Sequence, residues 1–274
     1  MTPELVIESG RSERNYWRDL WRYRELFYFL AWRDILVRYK QTVIGVSWAI
    51  VRPFLTMVVL TVVFNQFAKL NAPGGGPYAP FVMAAMLPWQ FFATSLSESG
   101  NSLVGNANLI SKVYFPRLIV PAGAVITSFV DFLITLGLMA FVMTWYHLAP
   151  DSRIIALPLF VVIAFGAAFG AGLWLCALTV KYRDFRYIIP FIVQFGLYVS
   201  PVGFSSSVVP AKWHWLYELN PMVGVIEGFR WSILPGGPAL DWPAVWMACC
   251  VVVVLLLSGT WYFRRAEKSF ADVI

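Results

Sequence analysis

The sequence predicts an all-α integral membrane protein with six transmembrane helices. Of its 274 residues, 59% are hydrophobic and only 13% are charged, and the mean hydropathy is +0.67. Soluble domains carry about 25% charged residues. The deficit of charged residues in this sequence is concentrated in long apolar runs, which are typical of membrane spans. Helices are the expected form of these runs, because open strands would leave unpaired amides facing lipid.

Six apolar runs are each near or above the roughly 20 residues that a helix needs to cross the hydrocarbon core. The predicted spans are 46–67, 78–97, 118–146, 154–180, 187–204 and 242–263. They define a transmembrane domain over 46–263. A cytoplasmic region over 1–45, which contains an N-terminal amphipathic interface helix, precedes it, and a cytoplasmic tail over 264–274 follows it.

Basic residues give the orientation of these spans. With the N-terminus inside, 17 of the 21 Lys and Arg residues fall in inner segments, and only Lys69, Arg153, Lys212 and Arg230 fall outside. The positive-inside rule therefore predicts that both termini are cytoplasmic. The net charge of +6 follows this topology, so no nucleic-acid partner is expected.

The segment 15–42 is too polar to span a membrane, but as a helix it has two faces. Arg18, Arg22, Glu25, Arg33 and Lys40 share one side, and Leu20, Trp21, Phe27, Tyr28, Ala31, Trp32 and Ile35 share a broad opposite sector, which Arg24 interrupts. A basic helix with an aromatic face is typical of the inner membrane interface. It serves either as a topology anchor or as a moving lever.

Candidate catalytic and cofactor sites are scarce. The sequence has no GxxxxGK[ST] loop, so ATP binding by that route is excluded. The three cysteines, Cys176, Cys249 and Cys250, all lie in apolar runs, and the two histidines lie far apart, which predicts no metal site. We expect neither enzymatic activity nor a cofactor in this chain.

Asp131 is the one acidic residue near the middle of a predicted span. An intramembrane acid is either a functional group or a hydrogen-bonded packing residue. It leaves open an ion-coupled secondary transporter of an amphiphile. A polytopic membrane glycosyltransferase or acyltransferase is a second alternative, for which His147, Asp151 and His214 are poor catalytic candidates.

The aromatic content is high, with 13 Trp, 12 Tyr and 22 Phe. Interface belts account for many of these residues. They account less well for a set along the first and fifth spans: Trp48, Phe54, Phe191, Phe195 and Tyr198. Because aromatic faces stack on sugar rings and still permit sliding, this set predicts a conduit for an amphiphilic or carbohydrate cargo.

Two loops are also candidate functional segments. The inner loop 101–117 is short and partly apolar, so it either docks on a soluble partner or lies on the bilayer. The outer loop 205–241 is rich in apolar residues and is broken at Asn220-Pro221 into two pieces too short to span. Glu227 and Arg230 are spaced to pair on one helix face, which favours an outer gate that dips into the membrane. An interfacial hairpin that stabilises a dimer is the alternative.

Four blocks resemble the type-2 ABC exporter permeases for polysaccharides and polyol phosphates, in the order of that family. They are RDILVRYKQTVIGVSWAIVRPFLTMVVLTVVF (33–64), NLISKVYFPRLIVP (108–121), KYRDFRYIIPFIVQFGLYVSP (181–201) and LNPMVGVIEGFRW (219–231). Together they extend over nearly the whole chain. The match is closer to O-antigen and teichoic-acid exporters than to group-2 capsule permeases.

The resemblance implies a permease homodimer bound to two copies of a cytoplasmic ATPase, which would hold the ATP and Mg²⁺. It implies a multi-pass protein of the bacterial inner membrane that exports an undecaprenyl-diphosphate-linked glycan or polyol phosphate. It places a coupling helix in the loop 101–117, where we expect Leu109, Ile110, Val113 and Tyr114 to contact the ATPase, with Lys112 and Arg117 at the rim. It places gate helices in the loop 205–241, around Asn220, Pro221, Glu227 and Arg230.

Overall fold

The computed structural model describes residues 16–40, 47–237, 239–268 and 270, and within these ranges the regular structure is helical, with no β-strand. The helices are α1 (Tyr16–Arg22), α2 (Arg24–Lys40), α3 (Ser47–Thr61), α4 (Tyr78–Gly105), α5 (Ala107–Ile110), α6 (Ile119–Trp145), α7 (Leu157–Lys181), α8 (Phe185–Val199), α9 (His214–Glu218), α10 (Pro221–Ile233) and α11 (Trp242–Glu267). The predicted span start at 46, the tail residues 269 and 271–274, and the basic residues Arg11 and Arg14 lie outside the described residues.

Within the described ranges, five helices are long and apolar enough to cross a membrane. These are α3 with its π-helical extension Val62–Phe67, α4, α6, α7 with the preceding 3-10 turn Ser152–Ala156, and α11. The predicted fifth span, 187–204, forms only the 15-residue α8. The helix ends at Val199 because Ser200 precedes Pro201 and takes an extended conformation, with ψ of 151°.

The segment after α8 continues alongside α4 as a series of turns. Three contacts follow one another along α4: Ile189 packs on Gly100, Gly196 packs on Trp89, and the Tyr78 hydroxyl donates to the Gly203 carbonyl oxygen. Residues 189–203 therefore accompany α4 over most of its length, in the antiparallel direction.

Helix α4 is the centre of the bundle, with 83% of its most apolar window buried, and it packs chiefly against α6 and α7. A group of phenylalanines fills the space between these helices and α10: Phe91, Phe129, Phe132, Phe165 and Phe229. Neighbouring rings in this group have centroids 5.5–6.2 Å apart, the range in which edge and offset contacts are favourable.

Helices α7 and α11 run parallel and approach closely through small residues. A Cβ atom on Gly259 would lie 2.5 Å from the carbonyl oxygen of Gly170, a distance that only glycine permits. Trp174 and Tyr262 stack farther along the same seam, with ring centroids 4.3 Å apart. Since lipid is as apolar as leucine, such close packing is what holds membrane helices together.

The N-terminal region forms two helices, α1 and α2, rather than one helix over 15–42. Leu30 and Ala31 of α2 are buried against the bundle, whereas Trp21, Tyr28 and Trp32 are exposed. The apolar sector predicted from the sequence is therefore divided: Ala31 is buried and Leu20 and Phe27 are partly buried, whereas the three other aromatic side chains are uncovered in the isolated chain. We call the end of the bundle beside α2, with Gly105, Ile119 and Lys181, the α2 end, and the opposite end the distal end.

Candidate functional site

Helices α3 and α8 both pack against α4 and leave a broad aromatic surface uncovered. The central window of α3 is only 11% buried, and in α8 only Ile189 is buried. All five predicted conduit residues are exposed: Trp48, Phe54, Phe191, Phe195 and Tyr198. Phe191 and Phe195 stack on each other at 5.8 Å. We call these five residues the aromatic face.

Asp131 is bound by α2. The Arg38 guanidinium forms ion pairs with Asp131 on α6 and, at 2.7 Å, with Glu98 on α4. The Tyr39 hydroxyl donates to the second oxygen of Asp131. One turn earlier, Arg33 donates to the side chain of Asn106 at 2.9 Å. Arg38, Tyr39, Asp131 and Glu98 form a clamp that fastens the end of α2 to α4 and α6.

The clamp explains how an acid is tolerated in a predicted span. Burial, followed by the hydrogen bond to Asp131 and its charge, raises the pKa of Tyr39 above its ordinary value, so this hydroxyl stays protonated and donates. Arg38 supplies the opposite charge. Asp131 is therefore a hydrogen-bonded packing residue in this conformation, the second of the two possibilities raised by the sequence.

Sequence reasoning missed Arg38 and Tyr39 as partners of Asp131. The available signal was a basic–aromatic dipeptide at the end of a helix predicted for the interface, together with a lone acid in a span. Spacing could not join them, because 93 residues separate Arg38 from Asp131.

The first five residues of the predicted coupling loop 101–117 continue α4, and the rest form the short helix α5 and the turn after it. Lys112, Val113 and Tyr114 are exposed at the α2 end, and Leu109 is partly buried. Ile110 is 7% exposed and belongs to the same buried cluster as Leu103 and Phe115, so it offers little surface to a partner in this conformation. Hydrophobic residues of a one-turn helix cannot all face the same side.

Arg117, expected at the rim of the coupling surface, is bound to the end of α11. Its backbone NH donates to the Glu267 carboxylate at 2.8 Å, and its guanidinium donates to the Glu267 carbonyl oxygen at 2.7 Å. The Arg264 guanidinium lies 4.6 Å from the centroid of the Tyr16 ring on α1. The coupling loop, α1 and α11 are therefore joined at the α2 end.

The distal loop 205–241 divides into the exposed α9 and the buried α10, as the Asn220-Pro221 break predicted. The Asn220 side chain caps α10 by accepting from the Met222 NH at 3.0 Å, and it donates to the Ser200 hydroxyl at 2.9 Å. Pro221 occupies the first turn, where a proline removes no helical hydrogen bond. Helix α10 packs against α4, α7 and α11.

The predicted ion pair between Glu227 and Arg230 is wrong: among the ion pairs of the described residues, none joins these two side chains. Arg230 instead donates to the carbonyl oxygens of Phe81, Phe204 and Val202 at 3.0–3.2 Å. Glu227 accepts from the Ser206 hydroxyl. The break after α8 leaves carbonyl groups free, and these compete with the carboxylate for the guanidinium.

A cavity of about 230 Å³ lies at the distal end beside these two residues. Its wall comes from the loop after α3, the serines after α8, α10, and the segment leading to α11: among others, Gly74, Ser206, Glu227, Arg230, Trp231 and Asp241. Burial raises the pKa of the Glu227 carboxyl, and the bond from Ser206 opposes that shift. The ionisable groups in the wall are two carboxyl groups, those of Glu227 and Asp241, and the guanidinium of Arg230.

Comparison with known proteins gives similarity over the full architecture. A family profile described as ABC-2 type transporter matches residues 25–234. The chain is 26% identical over 259 residues to the O-antigen export system permease protein RfbA of Myxococcus xanthus. The aligned region covers 94% of this chain and 98% of that protein. It is 24% identical over 251 residues to RfbA of Klebsiella pneumoniae, and this aligned region covers 91% of this chain and 95% of that protein.

A third relative, the polysialic acid transport protein KpsM of Escherichia coli, is 21% identical over 243 residues, covering 86% of this chain and 92% of that protein. The profile match extends from α2 to the end of α10. It therefore includes the clamp, the coupling loop and the aromatic face.

Proposed function

Because this chain belongs to the ABC-2 type transporter family, we propose that it is the permease subunit of an ATP-driven exporter that moves a lipid-linked polysaccharide across the bacterial inner membrane. The O-antigen and capsule export relatives support the polysaccharide as cargo. An undecaprenyl diphosphate anchor for the glycan is part of this proposal.

The aromatic face is the observation that carries the proposal. Helices α3 and α8, which both pack on α4, expose Phe54, Phe191, Phe195 and Tyr198, and no other helix of the described part of the chain covers them. Two copies placed with these faces toward each other would enclose a path lined by aromatic rings. Such rings stack on sugar faces without fixing one position, which suits a polymer that slides.

The motor is a separate ATPase, two copies of which bind at the α2 end. The chain carries no phosphate-binding loop of its own. Val113 and Tyr114 present exposed apolar surface there, beside the exposed Lys112. Through Arg117 and Glu267, this loop is tied to α11, so movement of a bound ATPase would reach the bundle.

We assign six crossings and cytoplasmic termini. Five crossings are the long helices, and the remaining one, fifth in chain order, is α8 together with residues 200–203. This segment accompanies α4 from Gly100 to Tyr78. The lysine and arginine distribution then places the α2 end inside. A single cysteine at Ser152 should react with an impermeant label from outside, whereas cysteines at Arg18 or Lys268 should not. The reverse labelling pattern would refute this topology.

The distal end is closed by α10 and the segments that hold it. Helix α10 is buried among α4, α7 and α11. Its capping residue, Asn220, donates to the Ser200 hydroxyl directly after α8 and so joins the two helices. The gate is therefore the place where α8, α10 and the loop after α3 meet. The gate opens when the glycan passes on from the aromatic face.

The test is reconstitution. The permease, coexpressed with its partner ABC ATPase and placed in vesicles, should show ATP-dependent movement of a lipid-linked glycan. An ATPase carrying a Walker A lysine substitution should abolish it. Movement that persists with that inactive ATPase, or that follows an ion gradient, would refute the proposal and favour a carrier that depends on Asp131.

A further inference from the structure

The distal cavity lies at the far end of the proposed path. Ser205 and Ser206 in its wall directly follow the turn segment 200–204 after α8. A second, smaller cavity is lined by Tyr198 of the aromatic face, by Phe64 and by residues 202–204, which lead along the chain to this wall. A glycan leaving the aromatic face would therefore reach the distal cavity next.

The wall has the chemistry of a sugar site. Glu227 lines the cavity and uses one carboxylate oxygen to accept from Ser206; among the described residues, no hydrogen bond is recorded for its other oxygen. Asp241 contributes a second carboxylate, which also accepts weakly from the Ala244 NH at 3.5 Å. Trp231 provides an indole beside these acceptors. Carboxylates bind hydroxyl groups, and an indole covers the apolar face of a pyranose.

The charge of the wall selects among sugars. Among the described residues that line it, Arg230 is the one cation, and its guanidinium is already directed to three backbone carbonyl oxygens and stacked on Phe81. Outside the wall, the Arg153 guanidinium lies 5.4 Å from the centroid of the Trp231 ring, and it pairs with Asp151. With two carboxyl groups and one guanidinium whose donors point to backbone oxygens, the wall favours hydroxyl groups over an anion. A phosphate or a sugar acid would place like charges at short distance in a poorly solvated space, which costs several-fold to many-fold in affinity.

We propose that the distal cavity is a subsite for one neutral sugar unit of the exported glycan, held by Glu227 and Trp231. This assignment rests on the proposed function and narrows it, since a polyol phosphate or an acidic polymer does not fit the site. A weak subsite near the exit holds the leading sugar while the gate is open, and it releases the sugar readily.

The experiment measures binding to the purified chain in nanodiscs, without its ATPase. Saturation-transfer NMR with maltotriose and methyl α-glucopyranoside should give signals from sugar protons, and glycerol 1-phosphate at equal concentration should give none. Glu227→Gln and Trp231→Ala should each weaken maltotriose binding about tenfold, the effect of losing one charge-assisted hydrogen bond or one stacked ring. Glu218→Gln and Trp213→Ala are the matched controls, because neither residue lines the cavity.

A second measurement does not depend on the folding of those variants. Ser207 is exposed at the cavity wall, so Ser207→Cys in a cysteine-free background should react with an impermeant maleimide, and maltotriose should slow the reaction. Equal binding by the variants and the wild type, absence of protection, or preferential binding of glycerol 1-phosphate would overturn the proposal. Export in the vesicle assay without such binding would leave the proposed function standing and reject this subsite alone.

Discussion

The guanidinium carbon of Arg230 lies 3.6 Å from the centroid of the Phe81 ring, and the same guanidinium donates to the Phe81 carbonyl oxygen. A buried arginine is costly unless its donors are satisfied, and here backbone carbonyl oxygens from α4 and from the segment after α8 satisfy three of them. Arg230 therefore joins α10 to both elements at the distal end. It holds the closure without an acidic partner.

The first prediction concerns this arrangement. Arg230→Lys keeps the charge, but a single ammonium cannot reach three carbonyl oxygens that a planar fork bridges. We expect a loss of about 3 kcal/mol in the free energy of unfolding, from the two hydrogen bonds that are not replaced. Thermal unfolding of the purified dimer should show a lower midpoint, and vesicles containing it should leak small solutes.

Arg183→Lys is the matched control, since Arg183 is exposed. It should change neither the midpoint nor the leak. If Arg230→Lys behaves like this control, Arg230 does not hold the distal closure.

The second prediction tests the clamp of α2. Asp131→Asn removes the charge that pairs with Arg38, so α2 should detach more readily, and export should fall severalfold while the permease still inserts. The double variant Arg38→Asp/Asp131→Arg should recover part of the loss. Spin labels on α2 and α4 would report the detachment as a broadened distance distribution.

Asp34→Asn serves as the control, because Asp34 pairs with the neighbouring Arg33 rather than with the bundle. If Asp131→Asn instead abolishes the part of export that a protonophore inhibits, the result would point to ion coupling. In that case the clamp would not be the role of Asp131.

The third prediction concerns the aromatic face. Phe195→Ala should reduce export severalfold and leave the unfolding midpoint unchanged, since the ring is 58% exposed and packs little within one copy. Phe141 on α6 is also 58% exposed and is a matched control that should tolerate alanine in both assays. Equal effects of the two substitutions on export would show that the aromatic face has no special part in transport.

The fourth prediction divides the coupling loop by burial. Val113→Asp and Tyr114→Asp place charges on exposed positions, so they should abolish export and ATPase stimulation without lowering stability. Ile110→Ala removes buried methyl groups and should cost about 2 kcal/mol or more of stability in the isolated permease. Thermal unfolding and ATPase assays on the same samples separate these outcomes. Unimpaired coupling in both aspartate variants would exclude this loop as the ATPase contact.

Much of the fold could be read from the sequence because lipid imposes a strong local constraint. Backbone groups must be satisfied within each segment, so apolar length alone predicts α3, α4, α6, α7 and α11. The family could also be read, because motifs spread over the chain identify it without any contact being known. The Asn220-Pro221 break likewise marks a boundary through local sterics.

The tertiary structure decided which of these residues meet. The sequence offered Glu227 as the partner of Arg230, since both lie on one helix face, but carbonyl groups freed by the end of α8 take the guanidinium instead. It left Asp131 without a partner, and Arg38 and Tyr39 bind it from α2. Such pairings depend on distances between segments far apart in the chain. Only packing of the helices sets those distances, so no local pattern could supply them.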